Sequence, residues 1–435
     1  LLDESNRALA EAHGRVLRLT AGADTLAARL ASSAELRPLA ADPQRLQAML
    51  AARAAHYASF THALDTSALS EDAALDAAQI GLGAWRVSAM GSPYSVRVQP
   101  GGLDSIGARL RENELNGPLA LVSDEHLDDL YAARVLASLE QAGYRAARIR
   151  IPAGEENKTL TTLAAIWAGL VEAGLERGST VLALGGGVTG DLSGFAASAF
   201  LRGVRWVGLP TSLLAMADSS LGGKTGADLP QGKNLIGAFY PPALVLADPR
   251  VLDSLPEAEI RSGLAEVVKH GIISDPQLFA LCAQGLDALR ADWDTLVRHT
   301  MAVKIRVIEL DPYERGPREA LNAGHTIGHG VEKASRYRLR HGEAVAIGLV
   351  AEARLAERLK LASGGLAEEI ATVLETLGLP TRIPRELSNA EILRAMRVDK
   401  KRAGGQVRFS LPVRIGAVEN GVTMPLDETL LEELR

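Results

Sequence analysis

Residues 182–191 read LALGGGVTGD. Leu182, Ala183 and Leu184 continue an apolar run that starts at Ser179, and the pattern predicts a buried strand ending at Gly185. Three glycines then remove every side chain from the turn, and Gly190-Asp191 begins a helix, so free backbone amides would face an anion such as a pyrophosphate. Gly185, Gly187 and Gly190 satisfy G-x-G-x-x-G, but the acidic residue expected about 20 positions later is absent, so the standard dinucleotide fingerprint is incomplete. The bland alternative is a tight strand-to-helix turn without a ligand.

Outward from this turn, short apolar strands alternate with helical stretches: YSVRV from Tyr94, PLALVSD from Pro118, RAARIRIPAG from Arg145 and STVLALGGG from Ser179. Alternation of this kind implies a parallel or mixed sheet with helices on its faces, binding ligands at the C-terminal strand ends. One such end, AGEENK, places Glu155 and Lys158 at a sheet edge. Downstream, FLRGVRWVGLPTSLLAMADSSLGGKTGADLPQGKNLIGAFYPP (200–242) is the densest polar-and-glycine region. Thr211 and Ser212 are expected to end a strand and Asp218 to fall on the next helix. Lys224, Lys233 and Asn234 are expected in loops kept open by glycines. With Arg202 these cations suggest a phosphate or carboxylate ligand.

Three of the nine histidines fall within the 17 residues from 325 to 341. His325 and His329 stand four apart in a segment that can be helical, which puts both rings on one face. His341 opens HGEAVAIGLVAEARLAERL, whose apolar positions recur at helical intervals. Zinc or cobalt held by such imidazoles needs a further carboxylate or sulfur ligand and one open position. Glu266, in the helical pattern SGLAEVVKHG with Lys269 one turn on, is the nearest good candidate. The alternative for each histidine is a hydrogen-bonded core or surface residue.

Composition bounds the reading. A chain of 435 residues holds two or three domains, and 47% hydrophobic with 23% charged residues is ordinary for a globular protein. A formal charge of −6 argues against general nucleic-acid binding. Cys282 is the only cysteine, so no intrachain disulfide can form, and a reducing cytoplasm is expected. No apolar run approaches the ~18–20 residues that span a bilayer, so no membrane partner is expected.

The first eighty residues differ, being rich in alanine and arginine. With a short strand RVLRL and two helices around a polar loop, they resemble the C-terminal half of a shikimate kinase. Asn6 and Arg7, Arg37-Pro38-Leu39 and Arg53 with Tyr57 carry the match. No G-x-x-x-x-G-K-[ST] loop occurs in the sequence, so the kinase's ATP phosphate site is missing. A chain cut from a longer bifunctional polypeptide is the expectation. Residues 66–93 read as a linker containing one short helix.

GGGVTGD, RGVRWVGLPTSLLAMADSSLGGKTG, GKNLIGAFYPP, GLAEVVKHGII, LNAGHTIGHGVE and HGEAVAIG together resemble 3-dehydroquinate synthase, from about Tyr94 to the end. Departures are a proline before Arg318, Tyr313 within an acidic DER pattern, and Ser212 where threonine is common. The resemblance implies an NAD-binding Rossmann-like α/β domain (81–258) and a mainly helical metal- and substrate-binding domain (259–435), behind the kinase-like segment (1–80). It implies zinc or cobalt on Glu266, His325 and His341. It implies NAD across Gly186, Gly187, Val188, Thr189, Gly190 and Asp191, with Asp124, Glu155 and Lys158 on the adenosine side and Thr211, Ser212, Lys224 and Lys233 nearer the nicotinamide. Asp218, Lys269, Lys304, Arg318, Asn322 and His329 would line the substrate pocket. Arg318 would grip a carboxylate, while Lys224, Asn234, Asn322, His329 and one of Lys400 and Lys401 face a phosphate. Arg202 would reach in from the partner of a homodimer. The implied reaction cyclises a heptulosonate phosphate through transient oxidation, phosphate elimination, reduction and aldol closure. A glycerol-type metal dehydrogenase, a sibling cyclase without the carboxylate, and a non-catalytic pathway scaffold are the competing readings.

Overall fold

The structure is a computed structural model that describes residues 3–32, 43–399, 407–425 and 427–435. It divides into two compact units, Leu1–Trp85 and Arg86–Arg435.

In the first unit the strands Leu17–Thr20 and His62–Asp65 pair in parallel, accompanied by helices Glu4–His13, Ala23–Ser32, Pro43–Ala58 and Glu71–Leu82. The Arg7 guanidinium stacks 4.2 Å from the centre of the Phe60 ring and donates to the Ser59 carbonyl, and Arg53 donates to the Tyr57 hydroxyl at 3.4 Å. Arg37, Pro38 and Leu39 lie outside the described residues. The stretch read as a linker holds its one short helix, Glu71–Leu82. Ser70 caps the helix Glu71–Leu82 by accepting the Ala73 amide, and Gly83 closes it in the left-handed region at φ 63°. Ala84–Val87 follows as a strand. A serine cap, two acidic residues and a terminal glycine were the signals of that helix.

Within the second unit a sheet runs in the order Tyr94–Val98, Leu244–Ala247, Arg205–Pro210, Thr180–Gly185, Leu119–Asp124, Ala146–Ile151. The six strands from Tyr94 onward run parallel. Every residue of Thr180–Gly185 is buried, which explains its unbroken apolar run. Gly186 caps the helix Gly187–Ala199, so this turn and Thr211, just past the next strand, lie at the C-terminal strand ends. Here the glycines answer a need for space: a Cβ on Gly185 would lie 2.4 Å from Thr189.

Lys224, Lys233 and Asn234 are not in open loops. Lys224–Leu229 and Gly232–Phe239 form an antiparallel hairpin whose register shifts between Gly232 and Ile236, with Asn234 in the left-handed region at φ 54°. Gly226 and Gly237 are cross-strand partners, and a Cβ on Gly237 would lie 2.0 Å from the Thr225 carbonyl oxygen. Those glycines permit strand pairing; they do not loosen a loop.

After the sheet the chain is mainly helical. Glu257–Ser274, Trp293–Leu310, His325–Ala334 and His341–Arg358 are its long members near the site, and Val407–Arg414 pairs with Ala417–Met424 as a terminal hairpin. Ile327, Val331, Ile347, Ala351 and Leu355 interdigitate between the last two of these helices in a core that continues to Phe409 and Leu411. Their backbones nearly touch, since a Cβ on Gly348 would lie 1.8 Å from the Gly324 carbonyl oxygen. Gly348→Ala should therefore destabilise the chain by about 1–3 kcal/mol or more. Gly190→Ala, a helical position with nothing within 4 Å, should be neutral or gain about 0.4–1 kcal/mol. Urea unfolding of both variants checks the contrast, and equal midpoints would contradict it.

Candidate active site

Between the sheet's strand ends and the helices lies a cavity of about 710 Å3. Its walls bring together Asp191, Asp218, Lys224, Asn234, Lys269, Lys304, Arg318, Asn322, His325, His329 and His341 from the residues singled out in the sequence.

At one wall three helices converge. Glu266 is fully buried in the middle of Glu257–Ser274, while His325 and His341 are the first residues of their helices. The Glu266 Oε1 atom lies 3.3 Å from His325 Nε2 and 3.4 Å from His341 Nε2, and Lys269 makes an ion pair with the other oxygen. Neither carboxylate oxygen accepts a hydrogen bond of good geometry. Lys269 answers one oxygen and leaves Oε1, facing the two imidazoles, for a further cation, and donor atoms of Glu266, His325 and His341 all lie within 4.8 Å of one another. The set fits a divalent ion of the zinc class, two imidazoles and a carboxylate with room on the cavity side. The His325 Nδ1 atom is 3.1 Å from the Ala323 carbonyl and the His341 Nδ1 atom 3.5 Å from Glu332, partners that would orient the rings. His329 lies beside them, its ring centre 5.1 Å from that of His325 and 5.8 Å from that of His341.

Charge is closely balanced around the cavity. Lys304 pairs with Asp218, whose carboxyl is held below the usual carboxylate range: burial would raise it, but Lys304 and Lys269 outweigh burial. Lys224 pairs with Glu314. Lys158 follows the edge strand Ala146–Ile151, as expected, and its buried ammonium reaches Asp191 and Asn234, each at 2.5 Å. Burial raises the Asp191 pKa to about 6 against the pull of Lys158. Arg318 is 1% exposed; its Nη1 donates to the Pro312 carbonyl at 2.5 Å, and its Nε has no hydrogen-bond partner.

Other expected residues are not among those lining this cavity. Asp124 ends a strand and caps the next turn, accepting the His126 and Leu127 amides. Glu155 makes an exposed ion pair with Lys233 at 3.4 Å. Thr189 and Thr211 are buried beside the glycine turn, and Ser212 Oγ accepts the Ala215 amide. Arg202 is exposed, in the left-handed region at φ 69°, and is not among the residues lining this cavity. Lys400 and Lys401 lie outside the described residues. Glu314, on the cavity wall, was missed; it sits at φ 58° and touches Lys224 and Asn322. A lone glutamate between tyrosine and arginine gave no periodic signal.

Residues 148–262 match the model of the 3-dehydroquinate synthase N-terminal domain, and residues 263–402 that of its C-terminal domain. A 3-dehydroquinate synthase of Synechocystis is 44% identical over 334 residues, 75% of this chain and 92% of that protein. The chain belongs to the 3-dehydroquinate synthase family. Among solved structures it is similar to a 2-deoxy-scyllo-inosose synthase complexed with carbaglucose-6-phosphate, NAD+ and Co2+ (TM-score 0.73, 26% identity, 81% of this chain and 98% of that one). It is similar too to the 2-epi-5-epi-valiolone synthase ValA of Streptomyces hygroscopicus subsp. jinggangensis with NAD+ and Zn2+ bound (TM-score 0.71, 28% identity, 80% and 98%). These cyclases share the order of a Rossmann-like α/β domain followed by a helical one. No helix among the described residues is long and apolar enough to cross a membrane.

His341 makes a test possible without any ligand. Burial opposes its charged form, but contacts with Glu266 and Glu332 outweigh burial and push its pKa up to about 10. A histidine raised in the folded state stabilises that state fully below its unfolded value of about 6.5, and the contribution is lost as pH rises through the folded value. His341→Gln should therefore destabilise the metal-free chain most at about pH 6, and the gap to the wild type should shrink by about pH 10.5. Urea midpoints at both values check this; a gap that widens with pH would reverse the assignment.

Proposed function

We propose that the chain is a 3-dehydroquinate synthase, a carbon–oxygen lyase that turns 3-deoxy-D-arabino-heptulosonate 7-phosphate into 3-dehydroquinate and phosphate, using NAD and zinc or cobalt. The observation that carries this reading is a buried Arg318 with an unpartnered Nε lining the same cavity as His325 and His341. A substrate with a carboxylate at one end and a phosphate at the other uses both ends of such a cavity. A planar guanidinium suits the carboxylate, while Lys224, Asn234, Asn322 and His329 suit the phosphate. The NAD+ and the Co2+ or Zn2+ held by the two similar cyclases support the cofactor assignment.

In this reading Glu266, His325 and His341 hold the metal, and the turn Gly186–Asp191 with Thr211, Ser212, Lys233 and the Lys158–Asp191 pair frames the nucleotide; Asp124 and Glu155 stand on its adenosine side. When bound, NAD supplies reversible hydride acceptance at one carbon and the metal supplies Lewis-acid polarisation of a hydroxyl. The protein's own part is positioning and proton handling. Lys269 and Lys304, both buried, stabilise developing negative charge. Asp218 keeps Lys304 aimed into the cavity, and His329, on its rim, is suited to move a proton near the phosphate. One of Lys400 and Lys401 adds a cation there. Arg202, exposed on a strained backbone, serves the second cavity of a homodimer; a sedimentation mass of one chain would leave it without that role. The protein acts in the cytoplasm, and its first unit derives from a shikimate kinase. Lacking the ATP phosphate loop, the chain should not phosphorylate shikimate with ATP, and detectable shikimate phosphate would overturn that expectation.

A glycerol-type dehydrogenase is the second reading, because it too needs a metal and NAD. The two part at the fate of the hydride. With catalytic NAD, metal and the heptulosonate phosphate, many phosphates should be released per NAD while NADH absorbance stays flat. NADH rising in step with product would make the chain a dehydrogenase.

A further inference from the structure

The helix that presents His325 has an unusual start. Its N-cap position is Gly324, left-handed at φ 77° and without a side chain, so the first-turn amides get no local cap. The cap comes from another helix. Glu352, fully buried on His341–Arg358, accepts the Gly324 amide at 2.6 Å through Oε2 and the Ile327 amide at 3.0 Å through Oε1. A carboxylate at a helix N-terminus is favoured by the macrodipole, and two charge-assisted bonds fix both the direction of the amides and the point at which the helix begins. His325 is the first residue of that helix and stands between the two bonded amides. Any rotation of the first turn swings its ring. The same Glu352 belongs to the helix whose first residue is His341.

We infer that Glu352 is a positioning residue for the metal group: by capping the helix His325–Ala334 from the helix His341–Arg358, it sets the His325 imidazole at the distance from Glu266 and His341 that a divalent ion requires. It touches neither metal nor substrate. The inference rests on the reading of Glu266, His325 and His341 as ligands.

The argument separates positioning from bulk stability. Ile347 is buried in the same helix pair and packs in the shared core without bonding the Gly324 or Ile327 amides. Loss of one methylene there weakens the helix contact and leaves the cap in place. Glu352→Gln keeps the shape and one acceptor but turns amide hydrogens toward a backbone N–H.

The experiment uses the full chain, freed of metal and titrated with Co2+, with the visible absorption of the bound ion as readout. Glu352→Gln is compared with Ile347→Val and the wild type, and thermal midpoints are recorded alongside. Partners outside the ligand shell are worth roughly 10–100-fold in metal affinity. Glu352→Gln should lose about that much and shift the absorption band, whereas Ile347→Val should lower the midpoint and leave affinity and band unchanged. Co2+ affinity unchanged in Glu352→Gln, or falling in both variants in step with the midpoint, would make the cap merely structural and overturn the inference. If Glu352→Gln does not fold, hydrogen exchange in Glu352→Asp, which keeps the charge on a shorter arm, takes its place: faster Gly324 and Ile327 exchange with weaker Co2+ binding supports the inference, and faster exchange with unchanged binding overturns it. A wild-type chain that takes up no Co2+ would instead refute the ligand set itself.

Discussion

A Cβ on Gly342 would lie 2.0 Å from the Ser262 carbonyl oxygen, and one on Gly348 1.8 Å from that of Gly324. The helix His341–Arg358 therefore lies backbone against backbone on Glu257–Ser274 at one end and on His325–Ala334 further along. No side chain larger than hydrogen allows either approach. Through these two contacts Glu266 comes within reach of both imidazoles, and a carboxylate is buried where it would otherwise be prohibitively unfavourable. Desolvating a lone carboxylate costs several kcal/mol. Lys269, and after it His325 and His341, offset that in the metal-free chain, so the Glu266 carboxyl stays well below the usual range although burial alone would raise it. Burial and the facing Lys269 push His325 itself down to about 4.

Away from this group the cavity follows a different rule. Its lysines already face carboxylates: Lys304 with Asp218, Lys224 with Glu314, and Lys158 behind the wall with Asp191. Pairing offsets the burial of Lys304 and Lys158, yet it means that an entering anion competes with a resident one. Arg318 is the exception, since its hydrogen-bond partner is a backbone carbonyl and its Nε is left over. A guanidinium stays charged without help, so it can be buried in this way where a lysine could not.

How much of this was legible in the sequence depended on whether a residue's role is local. The strand into the glycine turn reads correctly because burial on both faces leaves a continuous apolar run at Val181–Leu184. His325, His329 and His341 are recognisable because helical spacing is a local property, and Glu266 because its helix is strongly patterned. The hairpin at Lys224–Phe239 was misread, since in LGGKTGADLPQGKNLIG glycine marks close strand pairing as readily as looseness. Nothing local told that Lys158 turns inward to Asp191 and Asn234, partners 33 and 76 positions away. Glu314 escaped for the same reason. Its importance comes from a left-handed backbone that aims it at Lys224, 90 positions away.

The stretch Asp311–His325 joins these themes. Asp311 ends the long helix Trp293–Leu310, and its carboxylate gathers the amides of Arg315, Gly316 and Arg318. This folds the loop into a tight turn that delivers Glu314 and Arg318 to the cavity. The 3-10 turn Pro317–Asn322 adds Asn322, and three residues later the chain enters the helix at His325. Groups suited to the substrate's charged ends and a group suited to the metal are thus set by one short segment, clamped by Asp311 at its start and Glu352 at its end. A shift of either clamp would move both kinds of group together. Within these fifteen residues stand three of the polar side chains that line the cavity, Glu314, Arg318 and Asn322, together with His325, and the surrounding helices hold them in register with Glu266 and His341.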